Sequence, residues 1–193
     1  MTIPLRLLLF SLPSAVYVVV SRLRGHAWRH GFRQVGWSGA SLLYLAVGLG
    51  VGALPGVLLL VVPNVLAPGA FDRPGIAQSQ YAGWARTPVS FLPALVHEAI
   101  YTALGEEVLF RGLLGGLLIR RLGFAVGNLL QAGLFVLPHL LLLTVSVLLW
   151  PLLLAQYAAG WLFGWLMYKS GSILPGWLAH SVSNAFGALA FMS

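Results

Sequence analysis

Apolar residues recur along this chain in runs too long for the buried elements of a water-soluble domain, with short polar punctuation between them. A helix crosses a bilayer core with about 20 mostly apolar residues, and by that measure the pattern predicts six spans. They cover residues 5–20, 41–62, 92–119, 123–149, 151–169 and 172–191. Pro63 and Pro68 close the second, Arg120 and Arg121 end the third, Gly123 opens the fourth and Pro151 starts the fifth. Pro138 removes a backbone donor inside the fourth and predicts a kink there. Residues 67–88 form the one long polar loop, with room for re-entrant or surface-lying structure. The expected fold class is all-α, a polytopic membrane helical bundle of about six transmembrane helices.

Composition closes off the soluble alternatives. Apolar residues make up 59% of the chain and charged residues 8%, at a mean hydropathy of +0.90; a soluble domain carries roughly 25% charged residues. The net charge of +7 invites a nucleic-acid partner, but its distribution excludes one. Arg22, Arg24, Arg29 and Arg33 sit together after the first span, while Arg120, Arg121 and Lys169 flank later ones. With six alternating spans these three basic junctions fall on one side, which the positive-inside rule makes cytoplasmic. Both termini and the 67–88 loop then lie outside. The basic cluster follows the first apolar run, and no small-residue cleavage site is obvious, so that run reads as a retained anchor. Ten arginines against one lysine suit a GC-rich bacterial genome, and the expected location is the bacterial inner (plasma) membrane.

Zero cysteines exclude disulfides, thiolate metal sites and a cysteine nucleophile. Small residues four apart, at Gly52 and Gly56, Gly112 and Gly116, and Gly160 and Gly164, predict close helix packing. No repeat or inverted pair of similar halves points to a transporter.

Only four acids exist: Asp72, Glu98, Glu106 and Glu107. The adjacent pair and Arg111 fall near the middle of the third span. One ionisable group at helix centre costs about 2.5–3.5 kcal/mol on the insertion scale, so such groups face a protein interior or a water cavity and mark function. Glu107 and Arg111, four apart with the acid first, are placed for an ion pair. Glu106 points about 100° away and needs a partner from another helix. His139 in the fourth span and His180 in the sixth supply candidates at the same depth. Asn184, one turn after His180, shares its helix face and is expected to aim at the same point. His97 and Glu98 lack the second histidine of the metalloprotease helix motif and are expected at the outer interface. His26 and His30 read as solvated loop residues. Ser181 and Ser183 lack the glycine elbow of a serine nucleophile. Trp28, Trp37, Trp84 and Trp150 near span ends suit an aromatic belt.

A carboxylate and an imidazole at a dry site can share a water and take its proton. A His–Asn pair offers donors to the oxygen that turns negative when water attacks a carbonyl. The same Glu106, His139 and His180 are also the ligand types of a zinc hydrolase with an open fourth position. The residues alone leave both mechanisms open. They leave open, too, a non-enzymatic immunity or assembly protein tied together by its polar cluster, and a proton relay.

EExxxR at Glu106, Glu107 and Arg111, FxxxH at Phe135 and His139, and HxxxN at His180 and Asn184 lie in this order on successive predicted spans. In these motifs the chain resembles the CAAX protease and bacteriocin-processing enzyme family of intramembrane endopeptidases, which includes the prenyl-protein endopeptidases. The resemblance covers residues 92–193 as a catalytic helical core and leaves 1–91 as the variable N-terminal helices and loop. It implies that Glu106, with His139, activates water. His180 and Asn184 would form the oxyanion site, with Glu107, Arg111 and Phe135 in support. A metal-free glutamate mechanism is favoured; in the zinc version Glu106, His139 and His180 would be the ligands. The implied partners are the bilayer and a membrane protein or lipid-anchored peptide, cut at a prenylated tail, a C-terminal sorting helix or a leader.

Overall fold

The computed structural model describes residues 3–66 and 77–193, and no strand occurs among the described residues. α1 (Ile3–Leu23) is followed by the short α2 (Trp28–Gln34) and by α3 (Leu42–Leu66). After a 3-10 turn at Ala77–Tyr81, a long helical rod begins. It runs through α4 (Pro88–His97), a π-helical segment Glu98–Ala103, α5 (Leu104–Glu106), a second π-helical segment Glu107–Gly115 and into α6 (Gly116–Val136). Two 3-10 turns, Leu137–Leu141 and Val147–Leu149, flank α7 (Leu142–Val145). α8 (Trp150–Ser170) and α9 (Leu174–Leu189) complete the chain.

Single residues set the boundaries. Thr87 caps the rod by accepting from the Ser90 amide at 3.3 Å, and Pro88 occupies the first turn, where its missing N–H is no loss. Gly123, at φ 77° and ψ 167°, breaks α6 where the third predicted span gives way to the fourth. The turn holding Pro138, where a kink is expected, tightens to 3-10 geometry. Gly171 closes α8 in the left-handed region at φ 69°. Of the polar loop, residues 67–76 lie outside the described residues, and with them the expectation of re-entrant or surface-lying structure there.

The outer surface is apolar and the interior holds the polar groups. α1 exposes Leu8, Leu12, Val16 and Val19 along one stripe while burying Ser14, Val18 and Ser21 along another. A helix in water does the reverse; this arrangement suits lipid outside and protein inside. Three helical stretches are long and apolar enough to cross a membrane, at Leu5–Leu23, Pro88–Val145 and Val147–Ser170. α9 is not among them. Its 16 residues span about 24 Å at 1.5 Å each, and it is surrounded by α3, α4, α8 and the first π-helical segment. A helix walled by protein needs no apolar outer face, which is why it can carry His180, Ser181, Ser183 and Asn184.

The small-residue pairs act as packing surfaces. A Cβ on Gly52 would collide with the Ala179 backbone of α9, one on Gly56 would strike Phe186, and Ser183 Oγ donates to the Gly52 carbonyl at 2.8 Å. Gly112 and Gly116 lie against the carbonyls of Val35 and Gln34, and Gly160 and Gly164 against α6. The basic junctions meet at one end of the bundle. There Arg120 Nη1 donates to the Gln34 carbonyl at 3.2 Å and Ile173 N to the Gly36 carbonyl at 2.9 Å. At the other end Arg86 Nη2 donates to the Met192 carbonyl at 2.8 Å, so the C-terminus and the end of the polar loop lie together, as the alternation of spans requires.

Candidate active site

The rod carries every described acid, and its winding sets where each one points. π-helical turns are rare and concentrate at functional sites, because the looser i→i+5 winding frees carbonyls and re-aims side chains. Other helices take up carbonyls here: Trp177 Nε1 of α9 donates to Ala99 O at 2.7 Å, and Ser14 Oγ of α1 donates to Val108 O at 3.0 Å. Glu106 and Glu107 fall between these two anchors and turn inward.

Glu107 is the hub. Its Oε1 lies 2.9 Å from Arg111 Nη1, the ion pair expected from their spacing, and 2.9 Å from His180 Nδ1. Both Glu107 and Arg111 are 0% exposed. The Arg111 guanidinium also lies 4.0 Å from the centre of the Phe135 ring and 5.3 Å from that of Phe163. Gly160 makes room for this stack, since a Cβ there would sit 3.1 Å from Phe135. Behind it, Gln131 Nε2 donates to Asn128 Oδ1 at 3.0 Å and to the Gly160 carbonyl at 2.8 Å, tying α6 to α8.

With Nδ1 committed to Glu107, His180 turns Nε2 toward Glu106, whose Oε2 is 3.7 Å away. That separation is too long for a hydrogen bond. Glu106 Oε2 is buried and has no hydrogen-bond partner among the described residues. His139 packs its ring 4.7 Å from that of Phe135 and bonds through Nδ1 to the Phe135 carbonyl at 2.8 Å. The Phe135 ring also lies 5.8 Å from that of His180, so the two imidazoles flank one phenyl ring. The i−4 carbonyl thus fixes the His139 ring, leaving Nε2 as the nitrogen available for chemistry.

Two expectations need correction. Glu98, expected at the outer interface as an exposed residue, is 0% exposed, because the first π-helical segment begins there and carries it into the protein interior. Asn184 is engaged elsewhere than expected: its Nδ2 donates to Glu98 Oε2 at 3.2 Å while His180 bonds to Glu107, so only the second N–H of its amide is left for a shared target. Tyr81, 2% exposed, donates to the other oxygen of Glu98 at 2.8 Å and lies 2.8 Å from His97 Nδ1. Burial first, and then the charge of Glu98, push the Tyr81 hydroxyl well above the usual tyrosine range. Sequence reasoning missed Tyr81 and Phe163; the signal for Tyr81 was a tyrosine in an otherwise polar loop. Ser181 Oγ bonds back to the Trp177 carbonyl at 2.6 Å and Ser183 Oγ is taken by Gly52, so neither is poised as a nucleophile.

Zinc chemistry makes a geometric demand of its own. Among the described residues no three His, Asp or Glu side chains gather closely enough to hold a metal ion. Glu106 and His180 approach each other, but no third donor joins them at ligand distance. The described residues as placed do not fit a zinc centre.

Buried carboxylates and imidazoles thus meet inside a helical bundle whose outer surface is apolar. Residues 88–186 match the family described as type II CAAX prenyl endopeptidase Rce1-like, and the chain belongs to that family. It is an integral membrane protein and a CAAX-type intramembrane protease. No curated protein and no solved structure matches the chain.

Proposed function

We propose that this protease hydrolyses a peptide bond of a membrane-associated protein with Glu106 as the base. The observation that carries the reading is the buried, unpaired Oε2 of Glu106 facing His180 Nε2 at 3.7 Å. A water about 2.8 Å from both atoms closes a triangle on that base. Glu106 takes a proton from this water as its oxygen bonds to the scissile carbonyl carbon, and the free Nε2 of His139 helps to hold the nucleophile. The carbonyl oxygen turns negative and is met by an N–H of Asn184 and by His180 Nε2–H, a role that has both His180 ring nitrogens protonated, since Nδ1–H is given to Glu107. When the tetrahedral carbon collapses, the C–N bond breaks and Glu106 returns the proton to the leaving amine. Glu107 supports this by accepting from His180 Nδ1, which fixes the ring so that only Nε2 faces the reacting groups.

The family favours a prenylated C-terminal tail as substrate; a sorting helix or leader peptide would present the same bond at the same depth. The six-span topology in a bacterial inner membrane, with the basic end cytoplasmic, rests on the gathering of Arg120, the α1–α3 junction and the α8–α9 turn at one end. On this reading residues 92–193 form the catalytic core and residues 1–91 its N-terminal support.

Glu106→Gln tests it. The change keeps shape and removes the base, so cleavage of a farnesylated CaaX peptide by the purified protein should fall by about 10²–10⁴-fold. Thermal stability should stay within about 1 kcal/mol, because Glu106 has no ion-pair partner to lose beyond His180. Undiminished cleavage by Glu106→Gln would overturn the assignment.

A further inference from the structure

Besides Glu106 and Glu107, the described residues include one more buried carboxylate, and the chemistry above does not use it. Glu98 is 0% exposed, and its one ionic neighbour among the described residues is His97 at 3.7 Å. A glutamine would fill the same volume without the cost of burying a charge. What a carboxylate does that a glutamine does not is accept only.

That property fixes the direction of every hydrogen bond around it. Tyr81 commits its single hydrogen to Glu98 Oε1 at 2.8 Å, and its oxygen then accepts from His97 Nδ1–H, also at 2.8 Å. On the other side Asn184 must turn its NH2 end toward Glu98 Oε2, 3.2 Å away. An asparagine amide rotated by 180° has nearly the same shape, with donor and acceptor exchanged. Rotated so, Asn184 would present lone pairs where an oxyanion forms and would repel it. Locked by Glu98, it keeps its second N–H free, one turn along α9 from His180.

We propose that Glu98, itself held by Tyr81, is a positioning residue for the hydrolysis, locking the Asn184 amide in the orientation that offers an N–H to the developing oxyanion. The proposal rests on the oxyanion role read above for Asn184. Tyr81 thereby links the segment preceding the catalytic rod to the geometry of the reacting centre, across 17 residues of sequence.

The test uses the full chain in detergent with a fluorogenic farnesylated CaaX peptide. In Glu98→Gln the side chain can donate as well as accept, so the lock is lost while volume is kept. kcat should fall roughly 10- to 100-fold, with KM within about twofold. Tyr81→Phe should lower kcat in the same direction by a smaller factor. On an Asn184→Ala background, Glu98→Gln should cost nothing further, because the amide it orients is gone. Folded Glu98→Gln with wild-type kcat, or an equal loss with Asn184 already removed, overturns the proposal. Should Glu98→Gln fail to accumulate, Tyr81→Phe decides by the same cycle. Glu106→Gln, run in parallel, separates the two failures. If it stays active, the hydrolytic reading is wrong. If it is dead while Glu98→Gln is fully active, only the positioning role falls.

Discussion

Replacing Glu107 by glutamine should unfold this protein more readily, for a reason different from the effect expected at Glu106. Oε1 of Glu107 is shared at 2.9 Å by Arg111 Nη1 and His180 Nδ1, and both members of the ion pair are 0% exposed. The substitution keeps the shape and leaves the buried Arg111 cation without the counter-charge in contact with it. Removing one partner of a buried pair costs about 3–5 kcal/mol. The contact of Arg111 with Phe135 is present before and after the change and offsets nothing. For a chain of this length each kcal/mol moves Tm by about 2–4 °C, so Glu107→Gln should lower it by on the order of 10 °C. Thermal unfolding followed by tryptophan fluorescence in one detergent measures this. The companion variant Glu107→Gln with Arg111→Met removes both charges and should recover most of the loss, since an apolar replacement of a buried pair is often neutral. Its kcat should stay low, because His180 Nδ1 has still lost its anionic acceptor. A Tm for Glu107→Gln within about 2 °C of wild type, or a double variant no more stable than the single one, refutes the reasoning.

Three further outcomes follow from other parts of the bundle. Gly52→Val would drive a side chain into the backbone of Ala179, whereas Gly50 has open space around it. The first should lose at least about 1–3 kcal/mol by overpacking and Gly50→Val almost nothing; equal Tm values for the two would show that α3 does not press on α9. The raised pKa of the Tyr81 hydroxyl sets a pH limit. In the unfolded chain this group loses its proton near pH 10, while in the folded protein it keeps it. The unfolded state then binds fewer protons, and stability falls as pH rises above about 10. Tyr81→Phe should flatten that part of the pH–Tm curve, and an unchanged slope would contradict the burial. Finally, purified protein should contain no stoichiometric metal and keep its activity in a strong chelator. A one-to-one zinc content with activity lost on chelation and restored by zinc would replace the glutamate mechanism.

Much of the fold was legible because single residues with fixed backbone preferences punctuate long apolar runs. Gly123 and Pro151 act locally, and no tertiary contact overrides them. α9 shows where hydropathy stops informing. The run 172–191 is apolar enough to read as a span, yet the helix is short and walled by protein. Hydropathy counts apolar side chains and does not register what surrounds them. The π-helical segments were illegible for a related reason. Their sequences are compatible with ordinary α-helix, and the donors that accompany the wider winding, Trp177 and Ser14, come from helices distant in sequence.

The site divides along the same line. Glu106, Glu107, Arg111 and His180 were legible because ionisable groups at span centre have no solvent to face and must find one another. Glu98 was misread because its expected depth depended on where the third span begins. Hydropathy starts that span at residue 92, which leaves Glu98 within two turns of the polar loop. The helix in fact begins at Pro88, four residues earlier, under the Thr87 cap. About one extra turn carries Glu98 deeper by about 6 Å at 1.5 Å per residue. At that depth a carboxylate must recruit donors, and the two it has come from opposite directions: Tyr81 from the segment before the rod and Asn184 from α9. Neither contact follows a helical spacing, so no periodicity along the chain announces it. An error of one turn at a helix start was therefore enough to move a residue from the expected surface into the protein interior.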